Sequence, residues 1–417
     1  MSKLYRLLCI LALLLPAILH GQSDSLRFSA KGVVRDADSG RILPAVAVSV
    51  PGTSYATISN DDGTFIIKSD RPMETLTFSC LGYETISLSV PADQADVMRV
   101  RLKRGSLTLD PSLVVSGDPL AILRQAIYRI PDNCPNEPEL FDCFYRETVR
   151  KRQRFIYVSE AVTKMYKASF SDSFGRDRAA VVKSRLLTSP RKSDTLAVKV
   201  VGGPVMSVDL DIVKTRGIVL DTDALDFYRL EMLEPRPIDG RMQFVIRMSP
   251  AREADIALQN GTVYIDRETL AFTRIELSLD MSDETKATRA MLVKRPPGIR
   301  FKPKEMSLLL DYKTEGGKSR ISYLKTQFRF NCDWRKRLFA TEFTAVAEMV
   351  VTNRRERGEV SKINRSEAFS SSSSLADKTE FYSDPDFWKD YNIIEPTVGL
   401  EQAVGRLKAT EQDSSLR

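Results

Sequence analysis

Histidine, on which most catalytic triads and many zinc sites depend, occurs once in the 417 residues, as His20. His20 lies in an N-terminal apolar segment that we interpret below as a signal peptide, so the mature chain would contain no histidine. Serine and cysteine triads, histidine-based zinc sites and imidazole acid–base chemistry all need this side chain. The composition therefore argues against these classes of enzyme, whereas carboxylates could still act alone.

Several aspartates cluster in one stretch between two strand-like segments. They are Asp209, Asp211, Asp221, Asp223 and Asp226. A glycosidase can work with carboxylates alone, but it needs two acids that face each other across a cleft. The stretch has no paired-acid motif, and an acidic segment between strands is typically a solvated loop. We predict no catalytic residue, with a carboxylate-only hydrolase of envelope glycans as an alternative.

Two short oxygen-rich segments, residues 36–40 (Asp-Ala-Asp-Ser-Gly) and 60–63 (Asn-Asp-Asp-Gly), have the residue types that ligate calcium. Each is too short to supply six oxygen ligands alone, and both have the composition of tight turns. Residues 202–204 (Gly-Gly-Pro) lack the lysine and the following helix of a phosphate-binding loop. The sequence predicts neither a metal nor a cofactor.

Cys134 and Cys143 lie nine positions apart and flank Pro135 and Pro138. In an oxidising compartment such a pair can form a disulfide, which would add roughly 2 to 3 kcal/mol to the stability by the loop-entropy estimate. The spacing does not fix the Cα separation that a disulfide needs, so two free thiols remain the alternative. Cys80 follows apolar residues on one face of a strand and is interpreted as a buried free thiol.

The first 21 residues have the layout of a secretory signal peptide. Lys3 and Arg6 precede an apolar run over residues 7–15, and a small residue, Gly21, ends the segment. The run is shorter than the ~20 apolar residues of a membrane span, so an uncleaved anchor is the less favoured alternative. Removing the two basic residues would lower the formal net charge from +7 to +5. We predict an exported protein in the periplasm or at the periphery of the outer membrane, with no nucleic-acid partner and at most peripheral membrane contact.

Residues 32–90 have the clearest local pattern in the chain. Apolar side chains recur at every second position, for example at Val46, Val48 and Val50, which is the spacing of half-buried strands. Short segments rich in Gly, Asn and Asp separate these runs and predict chain reversals. The pattern predicts a small β-sandwich.

The same stretch resembles the carboxypeptidase-regulatory-like domain, a seven-stranded transthyretin-like sandwich. The matching residues are Gly32, Val34, Asp38, Gly40, Leu43, Pro44, Val46, Asn60, Asp61, Gly63, Phe65, Leu81, Gly82 and Tyr83. This domain is found at the N-terminus of many exported Bacteroidetes proteins, including TonB-dependent transporters, and it carries no peptidase residues. The resemblance implies an accessory domain in an envelope protein.

Composition divides the chain into six parts. They are a signal peptide at 1–21, the carboxypeptidase-regulatory-like β-sandwich at 22–103, a linker at 104–117, a large antiparallel β domain at 118–360, a Ser-rich flexible linker at 361–378, and an aromatic docking tail with a short C-terminal helix at 379–417. Residues 113–117 look like the TonB-box region that follows the same domain in transporters. An accessory subunit of a TonB-dependent system, with an outer-membrane transporter as its partner, is therefore a further alternative, by analogy of one domain.

Residues 141–351 read as eleven strand-like segments joined mostly by short polar links. Short links imply antiparallel hairpins rather than helical crossovers. Before these segments, Leu120, Leu123, Ile127 and Ile130 have the near-helical spacing of an amphipathic helix. We predict a mainly β protein in which a seven-stranded N-terminal β-sandwich is followed by a large antiparallel β-sheet with a short helix, either as a half-barrel or as two layers.

Two further resemblances concern the large domain. Residues 261–276 are similar to a strand pair in periplasmic carriers of outer-membrane lipoproteins, whose half-open barrel shelters acyl chains. Residues 144–147, 334–339 and 386–396 together look like uncharacterised Bacteroidetes proteins that are named only for their carboxypeptidase-like regulatory domain. The second resemblance covers nearly the whole mature chain and implies an envelope location.

The tail is too apolar to stay in water, so it must dock on its own domain or on a partner. Its candidate docking residues are Phe381, Tyr382, Phe387, Trp388, Tyr391, Ile393 and Ile394. One short helix and this tail are too small to cover the apolar face of a sheet of about eleven strands. We therefore expect a concave apolar surface to remain exposed to a ligand. We predict a non-catalytic envelope protein that binds a partner protein or a lipid-like ligand through its large β domain.

Overall fold

The computed structural model describes residues 26–105, 117–172, 174–191, 201–292, 297–334, 340–378, 380–381, 387 and 389–415. The signal peptide predicted at 1–21 and most of the linker predicted at 104–117 lie outside these residues. One of the eleven predicted strand-like segments, at residues 196–201, also lies outside them, apart from Val201. The described chain is mainly β, which confirms the predicted fold class.

Seven strands form the predicted N-terminal sandwich. The three-stranded sheet has the order β4-β1-β7, and the four-stranded sheet has the order β3-β2-β5-β6. The strands are β1 (Phe28–Asp36), β2 (Ala47–Ser49), β3 (Ala56–Ile58), β4 (Thr64–Ser69), β5 (Thr75–Ser79), β6 (Ile86–Ser89) and β7 (Val97–Leu102). Alternate residues such as Val34, Phe65 and Phe78 fill the core between the two sheets, because successive side chains of a strand point to opposite faces.

Ten antiparallel strands form one large sheet. They are β8 (Glu139–Lys151), β9 (Arg154–Lys167), β10 (Arg178–Thr188), β11 (Tyr228–Ile238), β12 (Arg241–Pro250), β13 (Gln259–Asp266), β14 (Phe272–Leu279), β15 (Ile299–Glu315), β16 (Lys318–Trp334) and β17 (Thr341–Arg354). Their order is β11-β12-β13-β14-β15-β16-β17-β8-β9-β10, and a short strand β18 (Glu380–Phe381) adds to β10 in parallel. The sheet is open, since β11 and β18 form its two edges.

One face of the large sheet, called the inner face here, carries Cys143 and Tyr145 of β8 and the largest hydrophobic core. Helices α1 (Pro119–Tyr128) and α2 (Ile130–Asn133) cover one part of this face. Residues 203–227, called the cover segment here, lie over another part. The cover segment consists of short helical turns, among them α3 (Met206–Asp209) and α4 (Ile212–Thr215).

The cover segment contains the acidic stretch for which the sequence predicts a solvated loop. That prediction misses the apolar residues placed between the acids, since Val208, Ile212 and Val219 are buried in the inner-face core. Burying side chains of this size contributes roughly 1.5–3 kcal/mol each, which holds the segment against the sheet. The helix α5 (Glu284–Met291) packs near a second apolar cluster at the other end of the strands.

The opposite, outer face lies against the N-terminal sandwich and the C-terminal tail. Ile58 of β3 packs with Phe144 of β8 and with Ile393 and Ile394 of the tail. The last helix, α6 (Val398–Ser415), places Leu400 and its neighbours against β9 and β10. Both faces of the large sheet are therefore covered by other parts of the same chain.

Residues 361–378, for which composition predicts a flexible Ser-rich linker, pack against the large sheet. Leu375 is fully buried in the inner-face core, and Phe369 is half-buried against the same core. The backbone N–H of Phe369 donates to the carbonyl of Ala179 at 2.8 Å, and that of Gly202 donates to Ser373 at 3.0 Å. Two apolar side chains and these backbone hydrogen bonds hold a segment that its serine content alone would leave in solvent.

Candidate functional site

The predicted docking residues of the tail lie on the outer face where the structure describes them. Phe387 is buried, and its ring centre lies 5.1 Å from Lys183 Nζ and 5.1 Å from Arg185 Cζ, within cation–π range. Ile393 and Ile394 are buried, and Tyr391 is half-buried. The side chains of the other three docking residues are not described. Tyr382 and Trp388 lie outside the described residues, and Phe381 is described only by its backbone in β18.

A buried charge cluster of Arg146, Glu160 and Arg185 lies beneath the tail. Arg146 Nε donates to Glu160 Oε1 at 2.8 Å, and Arg185 Nη2 donates to Glu160 Oε2 at 2.7 Å. Burial by itself raises the pKa of Glu160, but the two guanidinium groups outweigh it and the pKa is lowered. Arg146 Nη2 also donates to the carbonyl of Ile394 at 2.6 Å. The cluster therefore ties the tail to the sheet through a charged donor.

The tail is also hydrogen-bonded to the N-terminal sandwich. Asn392 accepts from the backbone N–H of Lys68 at 2.6 Å and donates to the carbonyl of the same residue at 2.9 Å. Thr57 Oγ1 donates to the carbonyl of Ile393 at 2.9 Å. The described part of the tail thus joins the sandwich to the large sheet, and its buried residues are already engaged within the chain.

A cavity of about 120 Å³ lies between the sandwich and the outer face. Small side chains such as Ala47 and Ser49 line one wall, and Arg274 and Asp311 lie in the other. Burial raises the pKa of Asp311, although Arg274 partly offsets this effect. Arg274 Nη1 lies 3.1 Å from Asp311 Oδ1, so the charged groups of this wall satisfy each other. We therefore interpret this cavity as part of the joint between the two regions.

On the inner face, a second buried cluster holds the cover segment. Lys167 of β9 pairs with Asp211, the residue that caps α4, and its Nζ lies 3.0 Å from Asp177 Oδ2. Burial lowers the pKa of Lys167, but the two carboxylates outweigh it and raise the pKa. Tyr312 of β15 donates to Asp211 Oδ1 at 2.8 Å. We call Lys167, Asp177, Asp211 and Tyr312 the lock of the cover segment.

The acids that the sequence marks as hydrolase candidates mostly have structural roles. Asp211 belongs to the lock, Asp221 accepts from the backbone N–H of Asp223 at 3.0 Å, and Asp226 lies 3.8 Å from Arg124. Burial raises the pKa of Asp209, with Asp177 adding to the effect. The cavity beside the lock measures about 10 Å³, which is room for about one water molecule. This site therefore has no space for a glycan.

An apolar pocket lies between the cover segment and the sheet, and we call it the inner pocket. It is lined by Leu210, Ile212, Val219, Gln259, Leu277, Met306, Ser307 and Leu308. Its volume is about 120 Å³, close to the ~150 Å³ of an engineered dry cavity that binds benzene. The described lining contains six apolar and two neutral polar side chains and no charged group.

Glu147 is a buried carboxyl group on the inner face, between the two apolar clusters. It is 1% exposed and accepts hydrogen bonds from Tyr145 Oη and Tyr157 Oη, both at 2.7 Å. Burial raises the pKa of Glu147, although the two tyrosine hydrogen bonds partly offset this effect. No basic side chain in the described part of the chain pairs with it, so no cation offsets the effect of burial on this carboxyl group.

The disulfide considered for Cys134 and Cys143 is not formed in the structure, where both are free and buried. Each thiol fills a place in the inner-face core, Cys134 at the end of α2 and Cys143 well inside β8. Burial raises the pKa of Cys134 to about 12 and that of Cys143 well above its usual value. Thiols of this kind are inert at neutral pH, because the thiolate is the reactive form.

Residues 30–114 match the CarboxypepD_reg-like domain family, which confirms the resemblance of the N-terminal strands. No curated protein sequence matches the chain. No helix among the described residues is long and apolar enough to cross a membrane.

Among solved structures, the chain is similar to a DUF1329 family protein from Desulfovibrio piger, at 11% identity and a TM-score of 0.26 over 59% of this chain and 96% of that one. It is also similar to a putative outer membrane lipoprotein-sorting protein domain from Vibrio parahaemolyticus, at 12% identity and a TM-score of 0.25 over 58% and 94%. A third is a LolA superfamily protein from Nitrosomonas europaea, at 10% identity and a TM-score of 0.20 over 57% and 94%. At these TM-scores the similarities carry no argument about function.

Proposed function

We propose that the protein is a non-catalytic binding protein that holds the apolar end of a lipid-like ligand, such as an acyl chain, in the inner pocket. The observation that carries this proposal is the lining, which consists of six apolar and two neutral polar side chains. An enclosed apolar cavity of similar size takes up an apolar molecule such as benzene, and the inner pocket presents the same kind of lining. Neutral polar side chains at such a site orient a ligand without demanding a charge on it.

The size of the pocket limits what enters it in the closed structure. A volume of about 120 Å³ is close to that of the benzene-binding cavity, so the pocket has room for the end of a chain and not for a whole lipid. A longer chain would need the cover segment to move away from the sheet. The polar head of the ligand would remain outside, since the described lining offers it no charged partner.

The cover segment is built in a way that permits such a movement. Its helices α3 and α4 have four residues each, and helices this short have no stability of their own. Gly202 and Gly203, at the start of the segment, have φ angles of 103° and 46°, a conformation that favours glycine. The lock and the apolar contacts therefore determine whether the segment stays closed.

The proposed place of action is the cell envelope, in the periplasm or at the periphery of the outer membrane. The leader-like sequence at residues 1–21 and the domain match at residues 30–114 support this location. The absence of histidine after residue 20 and the structural roles of most of the candidate acids favour binding over catalysis.

The test is isothermal titration calorimetry of delipidated full-length protein with palmitate. Leu210→Glu places a carboxylate in the lining at a half-buried position. We expect it to weaken palmitate binding about 10-fold or more, since burying an unpaired charge is costly. The matched control is Val182→Glu, on β10 far along the sheet, where the side chain is 49% exposed.

The proposal requires saturable binding by the natural protein and by Val182→Glu, and a clear loss in Leu210→Glu. Circular dichroism and the urea midpoint check that both variants fold. If palmitate does not bind, or if the two variants bind it equally well, the inner pocket is not the site.

A further inference from the structure

The three-stranded sheet of the N-terminal sandwich has a strongly basic outer face. Lys31 and Arg35 of β1 and Arg99 and Arg101 of β7 alternate with buried core residues and point away from the core. Lys103 continues the same alternation just after β7 and is exposed. We call these five residues the basic face.

The strand register brings these cations close together. β1 and β7 are parallel neighbours, and Arg35 lies directly beside Arg101, at the strand spacing of about 4.8 Å. Like charges in such positions are destabilising when no counterion is present. Arg35 donates to the carbonyl of Gly40, and none of the five is in an ion pair within the described part of the chain. Repulsion between these cations destabilises the free protein, and a bound anion would relieve it.

The tail covers only the other half of this sheet face. Ile66 of β4 packs with Ile393 and Ile394, and Asn392 is hydrogen-bonded to the backbone of Lys68. The β1 and β7 half has no such cover in the described structure, and its outward positions hold no acidic residue. Glu395 of the tail lies near enough to Lys31 to interact with its charge. The open half is therefore a mainly positive surface, with one acid of the tail at its edge.

Two exposed apolar side chains flank the cations on the same face. Val97 lies beside Lys31 in the β1–β7 register and is 55% exposed. Ile42 forms an isolated bridge with Arg35 and is 40% exposed. A soluble polyanion gains nothing from such residues, whereas a lipid surface accepts cations at its head groups and apolar side chains just below them.

We propose that the basic face docks the protein on an anionic membrane, with lipid phosphate as the group that it recognises. Arginine guanidinium groups suit this partner, because they donate two parallel hydrogen bonds to phosphate oxygens. Outward positions on two paired strands present the cations on one side of the sandwich. This surface rests on the sandwich alone and is independent of the inner pocket.

The test is co-sedimentation of the full-length protein with vesicles. One set contains phosphatidylcholine alone, and the other contains phosphatidylglycerol and phosphatidylcholine at about one to three, near physiological ionic strength. We expect binding to the anionic vesicles only, weakening as salt is added. The double variant Arg99→Gln, Arg101→Gln should bind roughly 30-fold more weakly, the effect of removing two cations near an anionic surface.

The control, Arg252→Gln with Arg300→Gln, removes the same charge at two exposed positions outside the basic face and should bind as the natural protein does. Lys31→Gln with Arg35→Gln is a second test of the face should the first variant fail to fold. Equal binding to both kinds of vesicle, or equal losses in the Arg99/Arg101 variant and the control, would overturn the proposal. Full competition by inorganic phosphate at the same phosphate concentration would also overturn it, because it would indicate a site for small anions.

Discussion

Two fully buried carboxyl groups, those of Glu160 and Glu147, lie on neighbouring strands of the large sheet, and their surroundings shift their pKa values in opposite directions. Arg146 pairs with Glu160 and Glu147 with Ser159 in the β8–β9 register, so Glu160 faces outward and Glu147 inward. Two guanidinium groups keep Glu160 ionised, and its pKa is lowered. Glu147 has only tyrosine hydroxyl donors, and burial raises its pKa. At this point of the sheet, the outward carboxylate is thus matched by charged groups and the inward carboxyl group by neutral ones.

The two faces also differ in how each is covered. On the outer face, Arg146 donates a charged hydrogen bond to the tail at Ile394, and the tail is hydrogen-bonded in turn to the sandwich through Asn392 and Thr57. On the inner face, the part beside the apolar pocket is covered only by single-turn helices held at one lock. Binding segments are drawn from the less stable parts of a fold, so the inner face is the better place for a ligand.

The largest effect is expected when the outer charge cluster loses its carboxylate. Glu160→Gln removes the buried carboxylate that Arg146 and Arg185 share, which should lower the free energy of unfolding by roughly 3–5 kcal/mol. Urea denaturation measures this loss. The control is Glu231→Gln, whose partner Arg247 is half-exposed, and it should change stability by less than about 1 kcal/mol. Similar losses in the two variants would show that the cluster is not important for stability.

A smaller effect is expected on the inner face at Leu375, in the Ser-rich segment. Leu375→Ala removes a fully buried side chain from the core and should cost roughly 2–4 kcal/mol. Ser372→Ala, at an exposed position of the same segment, should stay within about 0.5 kcal/mol of the natural protein. If Leu375→Ala has no greater effect than Ser372→Ala in thermal or urea unfolding, the segment is a linker and not part of the inner cover.

The sequence predicts much of the fold because local rules determine it. Period-two alternation and turn residues are sufficient for the sandwich, and short polar links imply antiparallel pairing of consecutive strands in the large sheet, although not the pairing of β17 with β8. The covers are harder to predict, because Val208, Ile212 and Leu375 are buried by distant strands, while acids and serines dominate the local composition. The lock has a visible signal in Asp211 before a short apolar run, which is typical of a helix N-cap. Its partner Lys167 lies too far along the chain to be inferred.

The smallest expected effect concerns the pH dependence of stability. Because the pKa of Glu147 is raised above its usual 4.5 in the folded protein, the folded state holds a proton that the unfolded state releases. This contribution is fully present below pH 4.5 and is lost as the pH rises toward the folded pKa. In the natural protein, the free energy of unfolding should therefore fall by at most about 1.4 kcal/mol per pH unit above pH 4.5 on account of Glu147. Glu147→Gln should abolish this part of the pH dependence. The lowered pKa of Glu160 has the opposite sign, since its contribution is lost as the pH falls.

Urea unfolding of the natural protein and of Glu147→Gln at several pH values above 4.5 measures this difference in slope. Asp226→Asn is the control, because Asp226 is exposed and lies in a loose pair with Arg124. Parallel stability curves for the natural protein and Glu147→Gln would mean that folding does not raise the pKa of Glu147, and would contradict this prediction.

Hydrogen–deuterium exchange with and without palmitate tests the central claim most directly, because it compares the two faces in one experiment. We expect palmitate to slow exchange of backbone amides at residues 206–215 of the cover segment, where Leu210 and Ile212 line the inner pocket, and at the lining residues 306–308 of β15. Amides at residues 389–395 of the tail, on the outer face, should be unchanged. Protection confined to the tail, or no difference on either face, would contradict the account.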